Sequence, residues 1–472
     1  MKRFSAWTQY DDAQLKELEA FSQDYREFIS KNKIEREFVA SSIELAERAG
    51  YRSLDELIKR NEHLEPGARV YASMRGKSLI LIELGKRPLT EGCNILGAHV
   101  DSPRLDIKQN PLEEKNDLAY LDTHYYGGIK KYQWVTIPLA LHGVVVKRDG
   151  AVIPICIGED ANDPVFVITD LLIHLSQEQL EKNAAKVIEG EMLDVLCGNR
   201  PLLVEGDQAA DFSEDSETKD PVKQKILSLL SESYGMEEED FLSAEIEVVP
   251  AGPARELGFD RSMILGYGHD DKCCAYPSLR AQLDLDDIPE RTALTILVDK
   301  EEIGSVGSTG MTSRFFENVV AELLALSGYG ESPLALRRCL ANSRMLSSDV
   351  TSAFDPSFAS SFETKNVAYA GRGLAFLKFT GARGKSGSND ADAEYLAFIR
   401  RTMDEAGVNW QSAELGKVDL GGGGTIAYIL AKYGMQVIDC GIPVLSMHAP
   451  WEAISKADLY EALRGYRTFL AS

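Results

Sequence analysis

The chain has 472 residues and a formal net charge of −23, with 74 acidic side chains against 51 basic ones. That length holds two domains, or one large domain carrying an insertion, and either buries a substantial core. The acidic balance and the lack of a basic stripe argue against nucleic acid as a partner, because phosphate binding draws on clustered Lys and Arg. No uncharged apolar run approaches the roughly 18 residues needed to span a bilayer, which argues against a membrane partner.

The start, Met1-Lys2-Arg3-Phe4-Ser5-Ala6-Trp7, has no apolar stretch behind its basic residues to serve as an export signal. Seven cysteines (Cys93, Cys156, Cys197, Cys273, Cys274, Cys339 and Cys440) are an odd number with no CxxC pair, which fits a reducing compartment. A cytoplasmic location is expected. Leu15, Leu18, Tyr25, Phe28 and Ile29 recur at near three-and-four spacing and predict a helix; Phe38, Ile43, Leu45 and Ala46 predict a second, with Gly50 placed to stop it. From Arg69 onward, apolar runs at 70–72, 79–84 and 95–98 read as strands, the last stopping at His99.

Between residues 108 and 251 the texture changes. Aromatic and β-branched segments at 125–126, 134–137, 143–147, 152–157 and 165–168 suggest hairpins, and residues 205–221, rich in small and acidic side chains, suggest an exposed loop. After Gly266, strand-like runs at 293–298, 344–347, 373–379 and 435–438 alternate with helices near 314–325 and 391–405. Strands alternating with helices imply an α/β domain whose sheet is buried on both faces. The expected organisation is therefore a discontinuous α/β domain, 1–107 and 252–472, with a mixed, largely buried sheet sandwiched by helices. A β-rich insertion, 108–251, interrupts it.

Ligand-type residues stand where apolar runs end, and in open α/β sheets reactive groups collect at the carboxyl ends of strands. His99 and Asp101 form an HxD pair in which strand alternation puts both side chains on one side, so that Asp101 can orient the imidazole through its second nitrogen. Glu301 and Glu302 are adjacent carboxylates after an apolar strand; they repel unless a cation is present, and one can ligate while the other holds a water. Asp270 and Asp271 lie in a Gly-rich turn before a stretch that can be helical but contains Pro277, where one carboxylate can bridge two cations or simply shape the turn. Beside them, His269 reads as either a loop residue or an outlying member of a site. Asp349 and His448 each follow a short apolar run. Gly421-Gly422-Gly423-Gly424-Thr425 lacks the Lys of a Walker motif, and reads instead as backbone passing close to a metal or a substrate carboxyl.

Taken in order, His99-Val100-Asp101-Ser102-Pro103-Arg104, His269-Asp270-Asp271, Glu301-Glu302-Ile303-Gly304-Ser305, Ser348-Asp349, Gly422-Gly423-Gly424-Thr425-Ile426 and Met447-His448 closely resemble the aspartyl aminopeptidase/aminopeptidase I family of zinc metallopeptidases, over almost the whole chain. The resemblance implies a zinc exopeptidase-like fold and two divalent ions, Zn2+ first, with Co2+ or Mn2+ as alternatives. One ion would be held at His99, Asp270 and Asp349, the other at Asp270, Glu302 and His448, with Glu301 as general base. Many members have Leu-Asp-Asn where this chain has His269-Asp270-Asp271. It further implies peptide substrates, a dimerisation role for the insertion, and a homo-oligomer built as a tetrahedral dodecamer. His174, in Leu171-Leu172-Ile173-His174-Leu175, would reach a neighbouring subunit's active site. Lys378 and Arg383 occupy the region where acid-selective relatives place a cation. Two readings compete with the aminopeptidase: a non-catalytic scaffold of the same fold, and a metal-dependent deacylase of N-acyl amino acids.

Overall fold

The computed structural model describes residues 4–202 and 220–472, so the acidic stretch expected as a loop at 205–221 lies, up to residue 219, outside the described residues. The chain divides into two compact units, one formed by Met1–Ser102 with Pro253–Ser472 and the other by Pro103–Gly252.

In the first unit, helix Asp12–Lys31 starts at Asp11, whose carboxylate accepts the N–H groups of Ala13 at 3.0 Å and Gln14 at 2.8 Å. The Gln14 side chain accepts the Asp11 N–H in return, which satisfies donors a helix start otherwise leaves open. The second helix, Glu35–Arg48, ends just before Gly50, which takes a φ of 85°.

A nine-stranded mixed sheet organises this unit, in the order Arg52–Ser53, Arg69–Met74, Ser78–Glu83, Thr292–Val298, Cys93–His99, Arg344–Ser348, Gln436–Gly441, Leu374–Leu377, Trp410–Ala413. Every residue of Ser78–Glu83, Cys93–His99 and Thr292–Val298 is buried. Alternation divides them between two cores: Leu79, Leu81, Leu96, Ala98 and Leu297 join one face, Ile80, Ile82, Ile95, Leu294 and Ile296 the other. Each such fully buried Leu or Ile side chain contributes about 1.5–3 kcal/mol. Two-sided burial is why these strands read as unbroken apolar runs. A five-stranded sheet, Arg255–Leu257, Met263–Gly266, Glu452–Ser455, Pro443–Leu445, Thr351–Ser352, completes the unit.

The second unit is a six-stranded sheet, in the order Val152–Ile157, Leu139–Val146, Ala244–Pro250, Arg104–Lys115, Leu118–Tyr126, Val195–Gly198, antiparallel at every pairing. With helix Pro221–Tyr234 it forms a half-open apolar cavity of about 640 Å³ lined in part by Ile107, Leu121, Leu141, Leu196, Ile226 and Leu230.

Several elements differ from expectation. Residues 134–137 form no strand: Thr136 sits at a φ of 61° and breaks the extended chain, while Trp134 is fully buried, so the aromatic signal came from core burial. Residues 165–168 make only single pairings, Phe166 with Leu139 and Val167 with Leu196. The run expected at 435–438 is strand Gln436–Gly441, its second half hidden by the polar Asp439. No helix among the described residues is long and apolar enough to cross a membrane.

Candidate metal centre

Three neighbouring parallel strands bring their carboxyl ends to one edge. Val298 lies opposite His99, and Ser347 opposite Gly97, so His99, Asp349 and the turn Glu301–Ile303 emerge side by side. Asp349 donates its N–H to the Cys440 carbonyl at 2.8 Å, and Gly441 follows so closely that a Cβ there would fall 1.7 Å from the Asp349 carbonyl oxygen. Only glycine fits beside Asp349.

The five-stranded sheet supplies the opposite wall. Gly266 pairs with Glu452, and Leu445 with Ala453, which sets the turn carrying Asp270 against the loop carrying His448. Gly268, at a φ of 71°, leads into Asp270; a Cβ on it would meet Lys272 Nζ at 2.7 Å and Ser102 Oγ at 2.8 Å. Ser102 Oγ donates to the Asp270 carbonyl at 2.7 Å and is itself held by Lys272 Nζ at 2.6 Å.

The carboxylate of Asp270 lies between two imidazoles. Its Oδ1 is 3.2 Å from His99 Nε2, and its Oδ2 is 3.1 Å from His448 Nε2. Asp349 Oδ1 lies 3.8 Å from His99 Nε2, and Glu302 Oε2 lies 3.5 Å from His448 Nε2. Glu301 falls on the His99–Asp349 side, where one ligand atom from each of the three lies within 4.8 Å of the others. His99 Nδ1 lies 3.0 Å from the Asp101 carbonyl oxygen and 3.3 Å from its Oδ1, which orients the ring so that Nε2 faces the Asp270 and Asp349 carboxylates.

Asp101 does more than orient the imidazole. Its carboxylate accepts the main-chain N–H of Glu301 at 3.1 Å and of Glu302 at 3.2 Å, fixing the turn that carries both glutamates. Strand alternation did not show this, because the strand ends at His99. Asp271 accepts the His99 N–H through Oδ2 at 3.2 Å. Glu452, which no motif singled out, accepts the N–H of Asp270 at 3.0 Å and of His448 at 2.7 Å.

The electrostatics call for a cation. Burial, with the charge of Asp349, pushes the Glu301 carboxyl up to about 8. Burial, with Asp270, pushes Glu452 to about 8 and Glu302 well above its usual range, and Asp349 is raised by burial as well. Asp270 is instead held below the ordinary carboxylate range: burial opposes this, but the flanking imidazoles of His448 and His99 prevail. Buried Glu302 Oε1 and Asp270 Oδ1 have no hydrogen-bond donor. Two imidazoles, three carboxylates and such orphaned oxygens fit zinc or a similar divalent ion.

The remaining candidates lie elsewhere. His269 is a core residue: its Nε2 donates to the Ile264 carbonyl at 3.2 Å, its Nδ1 accepts the Tyr25 hydroxyl at 2.7 Å, and burial lowers its pKa to about 3. His174 belongs to the unit 103–252, on the exposed turn Ile173–Leu175 amid exposed Leu171, Leu172, Ile173 and Leu175. Lys378 is exposed and pairs with Asp390 at 3.1 Å, and Lys385 holds the other Asp390 oxygen at 2.9 Å. Gly423 donates its N–H to the Thr380 carbonyl at 3.1 Å. The Arg383 side chain lies outside the described structure.

The family description "Aminopeptidase I zinc metalloprotease (M18)" matches residues 28–470. A probable M18 family aminopeptidase 1 from Clostridium acetobutylicum is 57% identical over 467 residues, 99% of this chain and 97% of the relative. The crystal structure of an M18-family aminopeptidase from Thermotoga maritima is similar with a TM-score of 0.92 at 43% identity, covering 100% of this chain and 99% of that one. The dodecamer of yeast mApe1 shares the fold, with a TM-score of 0.74 at 20% identity and 95% of each chain covered.

Proposed function

The chain belongs to the aminopeptidase I (M18) family of zinc metalloproteases and is a metal-dependent aminopeptidase; from that premise we propose that it works with two divalent ions and with Glu301 as general base. The observation that carries this reading is the Asp270 carboxylate, which offers one oxygen to the His99 side and one to the His448 side. His99, Asp270 and Asp349 would hold one ion, and Asp270, Glu302 and His448 the other. When bound, the pair lowers the pKa of a water and polarises the scissile carbonyl.

The chain's own residues do the rest. Glu301 takes the proton of the attacking water and returns it to the leaving amine, a role that suits a carboxylate beside a pair of dications. Asp101 holds the Glu301 and Glu302 main chains, so base and ligand keep a fixed relation. The substrate's free amino end would bind at the second metal site or a nearby carboxylate, which makes the action exopeptidic.

The reading extends to assembly and location. The insertion, 108–251, mediates dimerisation; the dimers build a tetrahedral dodecamer, and His174 enters a neighbouring subunit's site to stabilise the oxyanion. The exposed apolar side chains around His174 suit a surface covered by another copy. A light-scattering mass of twelve chains is the expected result, and a monomer would remove His174 from the mechanism. Seven unpaired cysteines fit a cytoplasmic location.

A panel of aminoacyl anilides, assayed after chelation and again with Zn2+, Co2+ or Mn2+, tests the metal reading. Activity should vanish on chelation and return with a divalent ion; flat inactivity across every residue and metal would favour a scaffold. The same panel tests Lys378. One Asp390 shared by two lysines leaves a net positive charge for an acidic substrate side chain. Lys378→Ala should therefore lower turnover of acidic substrates more than of leucyl ones, and equal loss would count against a specificity role.

A further inference from the structure

Glu452 is fully buried on strand Glu452–Ser455, and its two carboxylate oxygens are engaged separately. Oε2 accepts the Asp270 N–H at 3.0 Å, and Oε1 accepts the His448 N–H at 2.7 Å. One side chain thus sets the spacing of two main-chain segments that are far apart in sequence. We propose that Glu452 is the positioning residue of the second metal site, holding His448 to Asp270 through their backbones.

The two partners depend on it unequally. Asp270 is also held through its carbonyl by Ser102 Oγ, which Lys272 supports. His448 lies on a loop between strands Pro443–Leu445 and Glu452–Ser455, with its side chain 35% exposed. Its φ of 65°, and that of Ser446 at 60°, fall in the left-handed region that side chains other than glycine rarely adopt, so this loop needs a partner to hold it. Loss of the clamp should fall on the His448–Glu302 ion and spare the His99–Asp349 ion.

The inference rests on the two-ion reading, and the test separates their failures. Chelator-stripped full-length protein is titrated with Zn2+ against a competing chelator. Wild type should take up two ions. In Glu452→Gln the amide group sets an N–H against a main-chain N–H, so one acceptor is lost; the first ion should bind as in wild type and the second about 10–100-fold more weakly, the usual effect of losing a partner behind a ligand. Glu452→Ala, which loses both acceptors, should do at least as much. Asp458→Asn is the control, because Asp458 is a buried carboxylate that likewise accepts two backbone N–H groups, from Gly371 and Gly373 at 2.7 Å each, with no ligand among them. It should lower the melting temperature yet still bind two ions. Two ions bound as tightly by Glu452→Gln as by wild type, or equal weakening of both, would overturn the proposal, and a wild type binding only one ion would overturn the two-ion reading with it. Should the Glu452 variants fail to fold, amide hydrogen exchange on metal-free wild type decides: the Asp270 and His448 amides should be protected, and unprotected exchange at either overturns the clamp.

Discussion

Glu301→Gln is expected to keep two bound ions and a wild-type fold while losing about 10²–10⁴-fold in kcat, the range a positioned proton-transfer group contributes. The substitution is isosteric, and the main-chain N–H of Glu301 still reaches Asp101 at 3.1 Å, so the turn carrying Glu302 keeps its shape. What changes is that an amide cannot take up a proton. Because burial and Asp349 push the Glu301 carboxyl up to about 8, metal-free wild type already carries it mostly as the neutral acid near neutral pH, and the metal-free variant with its neutral amide should melt close to metal-free wild type. Metal analysis, thermal melting and steady-state kinetics on one preparation check all three statements. Turnover near wild type would show that Glu301 is not the base.

Asp270→Asn is expected to bind at most one ion and to lose more than 100-fold in activity, beyond the upper end of about 100-fold seen when a group behind a ligand is lost. The present carboxylate faces His99 Nε2 with one oxygen and His448 Nε2 with the other. An amide keeps one oxygen and points N–H groups at the other side, so only one half of the centre retains its ligand. Unlike Glu301→Gln, this variant should fail in metal analysis as well as in kinetics. Two ions bound with wild-type affinity would mean that Asp270 does not bridge, and Asp271, which accepts the His99 N–H at 3.2 Å, would need to be reconsidered.

Much of the centre was legible because its residues end apolar runs. His99 closes strand Cys93–His99, the glutamates follow strand Thr292–Val298, and Asp349 follows strand Arg344–Ser348, so local periodicity marked these positions while their proposed roles came from the family resemblance. Where polar and apolar roles mix, that signal failed. Asp439 inside strand Gln436–Gly441 hid half a strand, and buried Trp134 imitated one. Glu452 follows His448 by four residues, a spacing without meaning in a loop-to-strand segment, and Asp101 read as a partner of His99 while its carboxylate holds two main-chain N–H groups 200 residues away.

The sequence by itself determined which candidate residues stand at strand ends and the presence of a β-rich insertion, because apolar alternation and strand termination are local properties of the chain. Only the tertiary structure decided which oxygen of Asp270 faces which imidazole, that His269 belongs to the core beside Tyr25, and that Glu452 joins the Asp270 and His448 backbones. Those relations follow from pairings such as Gly266 with Glu452, set by how distant strands satisfy their hydrogen bonds and bury their faces together. No local pattern encodes a register between segments nearly two hundred residues apart.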